Sequence, residues 1–186
     1  MERMNVKTVA AFTAYAATIP AANWMINHVG TQAFPGGPHT IPVGFGYQAP
    51  SGVLMIGVAL AARDVVQRIS GTRVALAAIV VGVALSYVVA GPALATASAA
   101  AFAIGELADF AVYTPLQRRR LILAVVLSGV VGGIIDSLVF LHIAFGSFTY
   151  WQGQVIGKTE VSLAAGLLML IWRRRAVSLR LSAEGA

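Results

Sequence analysis

The chain has 186 residues, 58% of them hydrophobic and only 11% charged, with a formal net charge of +6 and no cysteine. A soluble domain is about 45–50% apolar and about 25% charged, so this balance implies a polytopic membrane protein with no room for a separate soluble domain. The cations gather at the ends of apolar segments, where topology accounts for them, so nucleic acid is no partner; the missing thiols exclude disulfides, thiolate metal sites and a cysteine nucleophile.

A spanning helix needs about 20 apolar residues. Six segments approach that within a single domain over 1–186, namely 6–26, 51–69, 73–91, 93–116, 120–146 and 154–172. The first opens with Arg3 and Lys7 and an apolar run to Ile19, a pattern a signal peptide shares. Its Asn23-Trp24 end reads better as an interfacial helix end. Residues 27–50 follow, with Phe34-Pro35-Gly36-Gly37-Pro38, then Pro42, Gly44, Phe45, Gly46 and Tyr47. Proline and glycine rule out a regular helix there. The aromatic, uncharged composition suits an extracytoplasmic loop capping the outer mouth; a disordered linker is the alternative.

The remaining connections set the orientation. Arg68 and Arg73 bracket the second link, Arg118, Arg119 and Arg120 lie in the fourth, and Arg173, Arg174, Arg175 and Arg180 follow the last helix. The segments 27–50, Gly91-Pro92 and 147–153 hold no Lys or Arg. The positive-inside rule then makes both termini cytoplasmic.

Ionisable residues inside these spans point to function, because each costs on the order of 3 kcal/mol at a helix centre. Glu106, Asp109, Asp136 and Lys158 stand out. At 1.5 Å per residue, Asp136 lies about 22 Å from the inner edge and Lys158 about 6 Å from the outer edge. Glu106 and Asp109 lie about 20 and 24 Å from the outer edge, near the depth of Arg63 and Asp64. Two polar tiers result. Phe102, Glu106, Asp109 and Tyr113 share one helical stripe, as do Gln154, Lys158, Ser162 and Ala165. Gly129, Gly132, Gly133 and Asp136 form a stripe with little bulk, which allows tight helix packing or leaves room for a ligand.

Other polar groups have plainer readings. Arg63 and Asp64 read equally as a snorkelling, locally paired couple or as a functional pair. Glu160 points away from the Lys158 face, and His142 reads as a structural histidine near a helix end. Gly157-Lys158-Thr159 resembles the end of a phosphate-binding loop, but Gly153 is one residue too close and no strand precedes it. Ser137 and His142 suggest a hydrolase, yet they sit about 140° apart on one helix, with no GxSxG.

Several motifs recur in order. They are Ala21-Ala22-Asn23-Trp24; the run from Ala62-Arg63-Asp64 to Arg68-Ile69-Ser70-Gly71; Ala95-Thr96-Ala97-Ser98 ahead of Gly105-Glu106-Leu107-Ala108-Asp109; Asp136-Ser137 with Ile143-Ala144-Phe145-Gly146; and Lys158. On these the chain resembles the vitamin uptake transporter family, also called the queuosine-precursor transporter family, from about Asn23 to Trp172. The resemblance implies an all-α fold of six transmembrane helices, related to the substrate-binding subunits of vitamin importers. It implies uptake of 7-deazaguanines such as preQ0 or preQ1 across a bacterial cytoplasmic membrane. The matching polar positions are Asn23, Asp64, Glu106, Asp109, Asp136 and Lys158. Some relatives carry Gln where Glu106 stands, which favours Asp109 and Asp136.

A deazaguanine edge offers two N–H donors beside a carbonyl acceptor. Asp136 or Glu106 can accept both donors, while Lys158, Asn23 or Gln154 donates to the carbonyl. Trp24, Phe140, Phe45 or Tyr47 can stack on the ring. Asp64 and Asp109 are candidates for a proton relay. No cofactor and no metal is expected. An energising partner subunit is compatible but not implied. The competing classes are a substrate-binding subunit of a larger importer and an intramembrane enzyme.

Overall fold

A computed structural model describes residues 6–33, 39–91, 95–146, 148 and 151–184. Arg3, residues 34–38, Pro92 and the side chains of Arg173, Arg174, Arg175 and Arg180 lie outside the described residues.

Among the described residues six helices form the body: α1 Val6–His28, α2 Val53–Ser70, α3 Thr72–Val89, α4 Ala95–Leu116, α5 Leu121–Phe145 and α6 Trp151–Glu184. Five are long and apolar enough to cross a membrane, α6 doing so over Trp151–Ile171. The remaining helix, α2, carries Arg63, Asp64 and Arg68 within 18 residues. Its charged positions 63 and 64 are buried, and α2 packs against all five other helices. α2 is therefore the polar hub of the bundle, wrapped by more apolar neighbours.

Between α1 and α2 the chain folds into β1 Gln32–Ala33, β2 His39–Pro42 and β3 Gln48–Pro50, an antiparallel sheet in the order β1-β2-β3. A strictly all-α reading missed this element. Proline and glycine block a helix, but extended pairing of Ile41 with Ala49 and Thr40 with Pro50 satisfies the backbone instead. Val43, Ala49 and Val53 form a small core beneath the sheet with Ile156 of α6. Ser51 Oγ donates to Met25 O over 2.7 Å, and the Gly44 amide donates to Glu160 Oε1 over 2.8 Å. The sheet is thereby tied to the ends of α1 and α6. A single residue joins α2 to α3: Gly71, at φ 84, a conformation that favours glycine.

The central helices meet along glycines. A Cβ at Gly105 of α4 would lie 2.5 Å from Asp136 Cβ, and one at Gly132 of α5 would lie 2.7 Å from Asp109 Cβ. Gly133 faces Lys158 Cβ at 3.1 Å, and Gly57 of α2 faces Val161 of α6 at 2.7 Å. The α5 stripe is thus sandwiched between α4 and α6, its missing side chains making room for Asp109 and Lys158. Gly132→Ala should cost about 1–3 kcal/mol through overpacking, seen as a lowered Tm in detergent. Gly91→Ala, where an added methyl meets nothing within 4 Å, should leave Tm unchanged.

Candidate functional site

Among the described residues, two buried charge clusters lie at different levels of the bundle. The one nearer the sheet is built from α5 and α6. Lys158 Nζ forms an ion pair with Asp136 Oδ2 and donates to Ser137 Oγ over 2.8 Å. Ser137 Oγ in turn donates to Gly133 O over 2.7 Å, and Ser162 Oγ donates to Lys158 O over 3.0 Å. Lys158 is 2% exposed and Asp136 9%. The ammonium therefore has a carboxylate and a hydroxyl in place of water, which a buried charge requires.

This pair borders a cavity of about 320 Å³. Every helix contributes to its lining: Ile19 and Asn23 from α1, Ile56 from α2, Ser86 from α3, Ser98 and Phe102 from α4, Asp136 and Phe140 from α5, Gln154 and Lys158 from α6. Pro50 of β3 and Gly52 close the side next to the sheet. A mainly apolar chamber with a few convergent polar groups is the usual form of a small-molecule site.

The second cluster is centred on Arg63 of α2. Its Nη1 reaches Asp64 Oδ1 at 3.0 Å, its Nε reaches Glu106 Oε2 at 3.1 Å, and its Nη2 pairs with Asp109 Oδ1. Gln67 Oε1 accepts from Nη1 at 2.9 Å, and Gln67 Nε2 donates to Thr114 Oγ1 at 3.0 Å. Ser128 Oγ donates to Asp64 Oδ2 over 3.3 Å. The guanidinium carbon lies 5.6 and 5.5 Å from the ring centres of Phe110 and Tyr113, within cation–π range.

Of the residues singled out in the sequence, Asn23, Asp136, Phe140, Gln154 and Lys158 share one cavity. Glu106 and Asp109 do not line it; one and two turns along α4 from Phe102, they face Arg63. Trp24 is turned outward by the helical step after Asn23, is 57% exposed and stacks on His28. Phe45 and Tyr47 are likewise exposed and off the cavity. The snorkelling reading of Arg63 is overturned, because its side chain is fully buried. Glu160 holds the Gly44 amide, and the His142 ring stacks on Phe148. Ser137 is occupied by Gly133 O and Lys158, so no Ser–His couple forms between it and His142.

Three contributors have roles that escaped the sequence reading. Ser137, both a motif residue and a candidate nucleophile, is also the hydroxyl partner of Lys158, a role that its place beside Asp136 signals. Phe102, one member of the α4 stripe, also lines the cavity. Tyr15, fully buried on α1 and facing Glu106, carries no signal in an otherwise apolar helix.

Apolar helices around a chamber with a buried ion pair at its wall define a multi-pass membrane protein with an internal cavity. Residues 87–173 match the family model described as "Putative vitamin uptake transporter". The resemblance read from the motifs therefore holds over this stretch, from the end of α3 into α6, and Glu106, Asp109, Asp136 and Lys158 all lie within it. No curated protein and no solved structure matches the chain.

Proposed function

We propose that the chain imports a queuosine precursor, a 7-deazaguanine such as preQ0 or preQ1, across the bacterial cytoplasmic membrane, with both termini in the cytoplasm. The similarity to vitamin uptake transporters supports the class. The observation that carries the substrate reading is the Asp136–Lys158 pair at the wall of a cavity of about 320 Å³, at the lower end of ligand-site volumes and suited to a bicyclic ring.

The guanine-like edge matches that pair. Asp136 accepts from the amino and ring N–H groups, and Lys158 donates to the neighbouring carbonyl. Gln154 and Asn23 supply amide donors or acceptors at the rim. Phe102 and Phe140 offer ring faces, since aromatic pairs favour stacked or edge-on contact. The ligand then replaces part of the Lys158–Asp136 contact with two charge-assisted interactions, so neither charge is stranded. With the arginine-rich connections taken as cytoplasmic, the sheet lies on the outer side and the cavity beside it receives the substrate from there.

The test is uptake in bacteria lacking both queuosine synthesis and their own precursor transporter. Cells expressing this chain and fed low-nanomolar preQ0, preQ1 or queuine should regain queuosine in tRNA with at least one of them. Failure with all three, with the protein verified in the membrane, sinks the substrate assignment.

A further inference from the structure

Three carboxyl groups converge on one guanidinium inside the bundle. If all were ionised, Asp64, Glu106 and Asp109 would exceed the charge of Arg63 by two. None is more than 1% exposed. An uncompensated buried carboxylate costs far more than a neutral carboxyl, and acids sharing one site do not all ionise together. The outer pair, by contrast, balances.

The unused atoms point the same way. Glu106 Oε1 and Asp109 Oδ2 have no hydrogen-bond partner among the described residues. The Tyr15 hydroxyl, on a fully buried side chain, faces Glu106 and also lacks a partner of hydrogen-bond geometry. A protonated carboxyl gains a donor, which an ionised one lacks.

The two clusters also touch. Asp136 packs against Gly105, next in sequence to Glu106, and Asp109 packs against Gly132, one turn from Asp136. Asp136 and Glu106 thus lie across one α4–α5 contact, where like charges oppose each other. The charged or titratable groups facing the acids are thus Tyr15 from α1, Arg63 from α2, Tyr113 from α4 and Asp136 from α5, with Lys158 of α6 acting through Asp136.

We propose that the Arg63 cluster is a proton-binding site, its proton held by the Glu106–Asp109 pair, and that the Asp136–Lys158 pair on the cavity sets how tightly that proton is held. The negative charge of Asp136 favours a neutral acid at Glu106; Lys158 offsets that charge. A ligand that draws Lys158 away from Asp136 strengthens proton binding, and by linkage the proton strengthens ligand binding. Use of this coupling in import rests on the transporter reading. The proton site does not.

The experiment therefore uses no ligand. The full chain in lipid nanodiscs is titrated in choline chloride while infrared spectroscopy follows the C=O stretch of protonated carboxyls. The expected result is a band that persists through neutral pH and is lost or reduced in Glu106→Gln or Asp109→Asn. Asp136→Asn, which removes the like charge, should move the band's midpoint down by about one pH unit, a tenfold weaker hold on the proton. No band in the wild type, or a band unchanged in both Glu106→Gln and Asp109→Asn, overturns the site. A band abolished by sodium chloride makes it a sodium site instead. A midpoint unmoved by Asp136→Asn overturns the coupling, and complete loss of the band there places the proton on Asp136.

Discussion

Lys158→Met alone should lower both Tm and precursor uptake, whereas Asp136→Leu with Lys158→Met should recover Tm and still not transport. The single change leaves a carboxylate beside an apolar chamber without its cation. Breaking a buried pair from one side costs about 3–5 kcal/mol, while replacing both partners by apolar groups is often neutral or stabilising. A purely structural pair would therefore be rescued by the double change. Binding would not, because three hydrogen bonds to charged groups, each worth about 1.5–3 kcal/mol, are gone. That corresponds to roughly a 100-fold or larger loss in ligand affinity. Thermal unfolding in detergent and queuosine in tRNA separate the two quantities. A double variant that imports like the wild type would make the pair a structural element and move the substrate elsewhere in the cavity.

Arg63 should be the least replaceable residue of the interior. Arg63→Met strands three buried carboxyl groups, a penalty of about 3–5 kcal/mol or more, and the expected outcome is little folded protein in the membrane by fluorescence-detected size exclusion. Arg63→Lys should rescue only in part. The guanidinium meets Asp64, Glu106 and Asp109 through three different nitrogens, and an ammonium has one nitrogen on a flexible stem. The neutralised background Glu106→Gln/Asp109→Asn should tolerate Arg63→Met far better, because the acids left unpaired are mostly removed. Equal loss in both backgrounds would show that Arg63 acts through packing on Phe110 and Tyr113, not through its charge.

The legible part of this protein was what a bilayer imposes locally. Apolar runs near the length of a span marked the helical segments, and lysine or arginine in alternate connections gave a consistent expected orientation. The stripes also carried real spatial information. Gln154, Lys158 and Ser162 are all buried on one face of α6, and Phe102, Glu106, Asp109 and Tyr113 on one face of α4. Helical periodicity alone places such residues together, whatever the helices do to one another. The region before α2 was less legible, because short strands pair through backbone groups that composition reports only as an absence of helix.

Which charges meet is a different kind of fact. Depth along a helix grouped Asp136 with Lys158 and Glu106 with Asp109, Arg63 and Asp64, but depth is one coordinate, and contact needs the rotation of every helix as well. Rotation is set by which surfaces interlock: Gly105 against Asp136, Gly132 against Asp109, Gly133 against Lys158. Those fits turn Glu106 and Asp109 toward Arg63 and leave Asp136, Asn23 and Gln154 on the cavity. By itself the sequence determined a membrane bundle with acids and bases at two levels. Only the tertiary packing decided that one level is a charge-rich hub sealed around Arg63 and the other a balanced pair open to a ligand-sized chamber, because partner choice in a bundle depends on backbone approach between helices distant in sequence.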